Sequence, residues 1–386
     1  MKRFRSLTGR AIPFLLFMWF VWFLNFTTRT IFSPILPLIE DEFGITHARA
    51  TSIFLITSLA YAPSVFFSSV YARVLGHRKA LIISLLLLGL ASLAIPFVHV
   101  FDMFYAVALF MGVAAGMYIP SVIPLLTEYY EESNWGKVIA VHDSAGQFSI
   151  AATPFIALLI LLFFPWRAIF AFVGIGLWCS AALFYLVSTE VHVAGSRRYF
   201  QPELLKNKPL WAIAIVWMFM AGSTMGTYFV APLYLTKELG MSIERANAIF
   251  GMSRIGGVIV GIASGFLVDR FRARKLVIAL VVVTGIVTAL VALKDVWWVK
   301  VFLFAQAAIA AGFFPLALVH VSRVFEADLR GQAVGFLITL GVIGVGVMPY
   351  FLGLSGDLVS FRVGFVVLGA ITALSAGLLC FLKEMR

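Results

Sequence analysis

Long apolar runs, each about the length of a membrane-spanning helix, alternate along the chain with short polar connections. A helix needs roughly 20 apolar residues to cross about 30 Å of hydrocarbon. The pattern, divided at charge clusters and at Gly or Pro turns, predicts an all-α membrane protein with twelve transmembrane helices. They are expected near 11–38, 48–72, 80–98, 103–127, 137–163, 167–188, 210–235, 246–268, 276–293, 298–322, 332–355 and 361–381.

The composition supports a membrane protein and argues against a nucleic-acid-binding one. Of the 386 residues, 62% are hydrophobic and 12% are charged, whereas soluble domains are about 45–50% apolar and about 25% charged. The net charge of +11 would indicate nucleic acid if the basic residues clustered on a folded surface. They fall instead between apolar runs, where basic residues set membrane orientation.

The basic residues predict that both termini are cytoplasmic. With the N-terminus inside, 20 of the 29 Lys and Arg residues lie in cytoplasmic segments and seven lie in external ones. The remaining two, Arg29 and Arg254, lie within spans. The first apolar run is too long for a signal peptide and no small-residue cleavage site follows, so we expect a retained first helix. Both cysteines lie in apolar runs, which indicates neither a disulfide framework nor a metal site.

The longest polar connection, residues 189–209, divides the predicted spans six and six, and the two halves are repeats. A shift of 196 residues places Glu42 on Glu238 and Gly44 on Gly240, and a shift of 195 places Gly174 on Gly369. We therefore predict an N-terminal bundle (1–188), a cytoplasmic linker (189–209) and a C-terminal bundle (210–386). Pseudo-symmetric bundles of this kind enclose a central cavity with the substrate site near the midplane.

One loop resembles a known family signature. The stretch "GFLVDRFRARK" at 265–275 is similar to the loop between the second and third helices of a half in the major facilitator superfamily. This resemblance implies the two-bundle transporter fold and a cytoplasmic gate that includes Asp269 and Arg270. The first half departs from the signature, because Arg73 stands where an Asp is expected.

Three further stretches resemble the anion:cation symporters within that superfamily. They are the first span with Arg29, Pro37 and "EFG" at 42–44, then "HDSAGQFSIAATP" in span five, then "PWRAIF" at 165–170. The subgroup often carries a Glu in the middle of span four, where this chain has none. The resemblance implies transport of an organic anion, and it implies a role for Gln147 of the Gly-Gln pattern.

Arg29 and Arg254 are the principal candidate ligands. A charge inside a span is costly and usually faces a cavity or a partner. A structural arginine bonded to backbone carbonyls or to a buried acid is the alternative, but no Asp or Glu lies at comparable depth in any span. The planar guanidinium can bind a carboxylate through two parallel hydrogen bonds. The pair therefore predicts a site for a carboxylate or a similar oxyanion.

Other polar side chains could complete this site. Asn25 is one helical turn from Arg29 and should face the same side. The tyrosines lie in spans four and seven, where aromatic residues are more often packing than ligands. The candidates are Asn25, Tyr118, Gln147, Tyr228 and Gln306.

Coupling to protons requires groups that titrate. A histidine changes charge near neutral pH, so His142 with Asp143 in span five, or His320 in span ten, could take up a proton. The alternative is that His142 and Asp143 form a cytoplasmic gate. Glu128 and Arg323 lie at cytoplasmic helix ends and are expected to form gate ion pairs.

Together these features predict a secondary active transporter for a small, carboxylate-type organic anion, working by alternating access with proton-coupled symport. Proton-driven multidrug or metabolite efflux is one alternative, and a non-transporting receptor or scaffold is another. We expect no enzyme and no cofactor, because no metal spacing, phosphate loop or nucleophile elbow is found. We expect a monomer among membrane lipids, with no nucleic-acid partner, in a bacterial inner membrane.

Overall fold

The structure is a computed structural model that describes residues 4, 6–189, 205–267, 273–314, 317 and 327–380. Side chains are described at these positions except 69, 73, 261–267, 273–274, 327–331 and 380. Regular structure in the described residues is helical, as the apolar pattern predicts. Fourteen α-helices are defined there, and two short 3₁₀ turns at Ile95–Phe97 and Glu132–Asn134 accompany them.

We number the α-helices in chain order. They are α1 (Ala11–Thr30), α2 (Phe32–Phe43), α3 (His47–Phe66), α4 (Ser68–Ala94), α5 (Met103–Gly116), α6 (Tyr118–Tyr129), α7 (Trp135–Leu161), α8 (Arg167–Val187), α9 (Lys208–Lys237), α10 (Ile243–Leu267), α11 (Ala273–Leu290), α12 (Val296–Ala311), α13 (Ala327–Leu358) and α14 (Phe361–Cys380).

The chain forms two compact units. The first comprises residues 1–32 and 56–197, and the second comprises residues 33–55 and 198–386. The division predicted from the sequence, with a linker at 189–209, stays a prediction. The compact units differ from it by placing 33–55 with the second half.

Eight helical stretches within the described residues are long and apolar enough to cross a membrane, and α11 and α12 supply shorter apolar helices. Many of their apolar side chains point outward, including Leu159 (61% exposed), Leu186 (77%) and Leu374 (77%). Exposed apolar area on this scale marks a surface that meets lipid or protein rather than water. The count of twelve spans and the cytoplasmic termini remain predictions.

The first span is broken into α1 and α2 by local chemistry. Thr27 and Thr28 turn their hydroxyls back to the carbonyls of Phe23 and Asn25, at 2.8 and 2.7 Å, and such back-bonding bends helices. Pro34 follows and has no N–H to donate to the carbonyl one turn earlier. The break therefore falls at Ile31, directly after the turn that carries Arg29.

Close glycine contacts occur at repeat-related places in the two units. A Cβ built on Gly89 in α4 would lie 3.1 Å from the carbonyl oxygen of Gly174 in α8. A Cβ on Gly285 in α11 would lie 2.5 Å from the carbonyl oxygen of Gly369 in α14. These pairs are related by the 196- and 195-residue shifts. Small residues let membrane helices approach closely, so each unit has a pair of glycines where two of its helices pack closely.

A second repeated feature is the glycine that ends the first helical stretch of each half. Gly44 follows α2 with φ of 57°, and Gly240 follows α9 with φ of 67°. This left-handed conformation suits glycine because other residues are strained there. The 196-residue shift relates these two positions as well.

We expect Gly369→Ala to lower the free energy of unfolding by about 1–3 kcal/mol, because a methyl group would force α14 away from α11. A Cβ on Gly369 would lie 2.6 Å from the backbone nitrogen of Ala289. Thermal unfolding of the purified protein in detergent measures the change. Gly377→Ala, on the same helix, is the control because nothing lies within 4 Å of its added Cβ. Equal melting temperatures for the two variants would contradict the assignment of close packing.

Candidate functional site

Arg29 lies in the last turn of α1, and three aromatic rings surround its guanidinium. The Arg29 Cζ atom is 4.8 Å from the ring centroid of Phe26, 5.1 Å from that of Tyr61 and 5.9 Å from that of Trp22. Cation–π contacts of this kind stabilise a cation by about 0.5–2 kcal/mol. Nε and Nη2 of Arg29 are buried without a hydrogen-bond acceptor among the described residues. The rings stabilise the cation, while the part of the chain that the structure describes gives these two N–H groups no acceptor.

Asn25 lies one turn before Arg29 on α1. The residue is fully buried, and neither its Nδ2 nor its Oδ1 has a hydrogen-bond partner in the described part of the chain. A buried polar group left unpaired costs about 1–3 kcal/mol. Arg29 and Asn25 therefore present donors and an acceptor, one helical turn apart, that a polar ligand could satisfy.

The first unit brings Tyr118 and His142 together, although the sequence suggested separate roles for them. The Tyr118 hydroxyl lies 3.1 Å from Nε2 of His142, and both side chains are fully buried. The indole of Trp22 stacks on both rings, at centroid distances of 4.9 Å from Tyr118 and 5.8 Å from His142. Nδ1 of His142 has no partner among the described residues. Trp22 thus links the ring cluster around Arg29 to a buried Tyr–His pair.

Asp143 and Gln147 occupy a different face of α7. Both residues are exposed, whereas His142 on the same helix is fully buried. Adjacent helical positions do not share a face, so His142 and Asp143 point to different sides of α7. Their joint role, suggested by the sequence, is not visible in the geometry.

A row of hydroxyl groups joins α1 to α7, which the sequence reasoning did not single out. Thr27 Oγ1 lies 2.9 Å from Ser149 Oγ, and Thr30 Oγ1 lies 3.2 Å from Ser149 Oγ and 3.0 Å from Thr153 Oγ1. All four side chains are buried. Their spacing of three or four residues on each helix was the available signal. This hydroxyl seam fixes the face of α7 that meets the helix carrying Arg29.

Arg254 in the second unit is held differently from Arg29. It is 3% exposed. Its Nε donates to Ser253 Oγ at 3.1 Å, and its Nη2 donates to the Leu303 carbonyl oxygen at 3.3 Å. Its Cζ lies 5.2 Å from the ring centroid of Phe250 and 5.8 Å from that of Tyr228. Arg254 is therefore bonded in part to the backbone, which is the structural alternative to a ligand role that the sequence analysis raised.

Two other candidates of the second unit also lie in its interior. Tyr228 is fully buried in α9, and its carbonyl oxygen accepts a hydrogen bond from Ser33 at 2.7 Å. Gln306 in α12 is fully buried and donates to the Ser223 carbonyl at 3.2 Å, while its Oε1 has no partner among the described residues. Neither Arg29 nor Arg254 pairs with an acidic side chain in the described ranges.

Several predicted gate and coupling residues cannot be placed. Glu128 lies in the last turn of α6 and is partly exposed. Four more of the predicted gate and coupling residues lie outside the described residues: Asp269, Arg270, His320 and Arg323. Their roles stay predictions.

Curated relatives are distant, and most of them carry names of organic-acid transporters. The chain is 22% identical over 396 residues to the hexuronate transporter of Bacillus subtilis (strain 168), covering 95% of this chain and 93% of the relative. It is 20% identical to multidrug resistance protein MdtL of Shewanella sp. (strain ANA-3), over 63% of each chain. Further relatives are named for sulfoacetate, 4-hydroxybenzoate, gallate, L-galactonate and galactarate or D-glucarate.

Solved structures show the fold, and a family model shows the family. A crystal structure of a D-xylose–proton symporter matches with a TM-score of 0.79 at 15% identity, covering 98% of this chain and 99% of that one. The model of the Major Facilitator Superfamily matches residues 18–273 and 220–386. Together with the apolar helices, this match makes the chain a multi-pass membrane protein, and its bacterial relatives are consistent with a bacterial inner membrane. The chain belongs to the Major Facilitator Superfamily.

Proposed function

We propose that this protein is a secondary active transporter that moves a small carboxylate-type organic anion across the membrane by alternating access, coupled to protons as a symporter. The observation that carries the proposal is the pair of buried Arg29 donors, Nε and Nη2, without an acceptor among the described residues. An arginine does not lose its proton in a protein. An anionic cargo supplies the acceptor that the described residues do not provide.

The two donors match the shape of a carboxylate. Nε–H and one N–H of Nη2 point side by side along one edge of the planar guanidinium, and two carboxylate oxygens accept such a pair in parallel. Asn25, one turn away with both polar atoms unpaired, is suited to a hydroxyl or carbonyl elsewhere on the cargo. Sulfonates offer similar oxygens, so the proposal covers carboxylates and related oxyanions.

Arg254 takes a secondary role in this proposal. Its guanidinium already donates to Ser253 and to the Leu303 carbonyl, so an anion would compete with existing hydrogen bonds. Gln306, whose Oε1 has no partner among the described residues, is proposed as a polar contact in the same unit. Removal of Arg254 is therefore expected to weaken binding less than removal of Arg29.

Proton coupling is assigned to His142. Its hydrogen bond to Tyr118 is to a neutral hydroxyl rather than to an acid, and Trp22 connects this pair to the rings around Arg29. A bound anion near Arg29 would thus be sensed at His142 through one shared side chain. A gate role for His142 and Asp143 is the competing explanation.

Multidrug efflux is the second candidate function, and one relative carries that name over 63% of its length. Efflux of lipophilic cations is disfavoured by a buried cation at the candidate site. Proteoliposome assays separate the two functions. Uptake of D-glucuronate, benzoate or a sulfonate accelerated by an inward proton gradient supports symport, whereas counterflow of a lipophilic cation supports efflux.

We expect Arg29→Ala to abolish anion uptake and Arg29→Lys to raise the KM by at least about tenfold, since a lysine keeps the charge but loses the paired donors. Losing one partner of a buried charge contact costs about 2–5 kcal/mol. Uptake kinetics in proteoliposomes, with the anion most rapidly transported by the wild type, measure the change.

Arg245→Ala is the matched control, because Arg245 is exposed in the first turn of α10. It should transport like the wild type. A folded Arg29→Ala variant that binds the anion with wild-type affinity would refute the role of Arg29.

We expect His142→Ala to retain anion exchange but to lose accumulation driven by a proton gradient, because exchange needs no net proton movement. Counterflow and gradient-driven uptake, measured on the same proteoliposomes, separate the two activities. Asp143→Asn, on the exposed face of α7, tests whether the neighbouring carboxylate takes part. Loss of both activities in a folded His142→Ala protein would favour the gate explanation instead.

A further inference from the structure

A compact cluster of charged side chains lies where α2 ends and α3 begins. The carboxylate of Glu40 lies 2.7 Å from Nδ1 of His47. Glu40 is only 6% exposed, and the turn at Gly44 brings the two residues together. We call Glu40, Asp41, His47, Lys237 and Asp357 the Glu40–His47 cluster.

The cluster ties residues 33–55 to helices of the C-terminal sequence. Nζ of Lys237, at the end of α9, contacts Asp41 and lies 3.4 Å from Glu40. Asp357, near the end of α13, accepts hydrogen bonds from the backbone nitrogens of His47 at 2.9 Å and Ala48 at 2.8 Å. The carboxylate therefore caps α3 at its positive end. These contacts join residues more than 190 positions apart in the sequence.

Helix α14 completes the surroundings of His47. The Phe361 ring lies 4.7 Å from the His47 ring, centroid to centroid. The nearby charges on α14 and α9 are already paired, since Arg362 lies 3.3 Å from Glu238 and Glu238 also accepts from the Phe361 backbone nitrogen at 2.7 Å. Among the described residues, the charges that act on His47 are those of two carboxylates, Glu40 and Asp357, and of Lys237.

The charge balance of the cluster depends on His47. Three carboxylates face one lysine, so a proton on His47 adds the second positive charge. Burial lowers the pKa of His47, and so does the positive charge of Lys237. The hydrogen bond and charge of Glu40, together with the charge of Asp357, outweigh both effects. The pKa of His47 is therefore raised above its usual value. Stabilisation from protonated His47 is fully present below about pH 6.5 and is lost as pH rises through the raised pKa.

We propose that His47 and Glu40 form a proton-binding site that holds residues 33–55 against α9, α13 and α14, and that this contact loosens when His47 is deprotonated. In the membrane orientation predicted from the basic residues, this site lies on the external side. The inference rests on the proposed function for its role in transport, where an external proton would favour closure behind the bound anion.

Thiol accessibility of a buried position next to His47 tests this site without substrate. Thr51 is fully buried, and its hydroxyl donates to the His47 carbonyl at 2.8 Å. We would introduce Thr51→Cys into the full-length protein carrying Cys179→Ser and Cys380→Ser, reconstitute it in nanodiscs, and measure the maleimide labelling rate from about pH 5.5 to 8.5. Because the thiolate fraction also rises with pH, each rate is divided by that of the same protein carrying His47→Gln at the same pH.

We expect the ratio to be about one third or less at the acidic end and close to one at the basic end, because only protonated His47 closes the contact. His99→Gln is the control, since His99 is an exposed histidine in another predicted external loop, and it should leave the parent profile unchanged. A ratio that does not change with pH would overturn the proposal.

Glu40→Gln provides a second test, which compares its labelling rates directly with those of the parent protein at each pH and so does not depend on the folding of His47→Gln. Removal of the carboxylate should move the midpoint of the labelling profile to lower pH, because His47 loses its strongest source of proton affinity. An unchanged midpoint would also overturn the proposal. Uptake in proteoliposomes is measured separately, so failure of this site and failure of anion transport give different results.

Discussion

The first unit has to accommodate one buried cation, the guanidinium of Arg29, which stays protonated and packs against aromatic ring faces. Phe26, Tyr61 and Trp22 supply the aromatic surfaces, yet Nε and Nη2 of Arg29 still lack acceptors in the described part of the chain. Aromatic quadrupoles stabilise a cation without offering a carboxylate acceptor. If an anion binds Arg29 as proposed, the same rings line the site with and without it.

The two arginines identified from the sequence are not equivalent in the structure. Arg254 donates to Ser253 and to the Leu303 carbonyl, while Nε and Nη2 of Arg29 donate to no described group. One arginine thus has two N–H groups without an acceptor among the described residues, and the other is hydrogen-bonded within its own unit.

The sequence predicted features that depend on residue type and repeat spacing. The 195-residue shift aligned Gly174 with Gly369, and in the structure each packs against a further glycine, Gly89 and Gly285, because close approach of helices restricts side-chain size. The glycine contacts themselves were not predicted. The burial of Arg29 and Asn25 followed from their positions within an apolar run. Contacts between particular helices were not predictable. Apolar periodicity indicates which face of a helix is buried but not which neighbour covers it, so the Tyr118–His142 and Lys237–Glu40 contacts were missed.

The hydroxyl seam between α1 and α7 has a mechanical consequence. Thr30 contacts both Ser149 and Thr153, which are one turn apart on α7, and a hydroxyl can act as donor or acceptor. Because Thr30 already contacts both hydroxyls, a small axial displacement of α1 along α7 can favour one of these partners over the other without leaving the Thr30 hydroxyl unpaired. Tightly interlocked aliphatic side chains would resist such a displacement. This row of short hydroxyl side chains resists it less, and it lies next to the turn of α1 that carries Arg29.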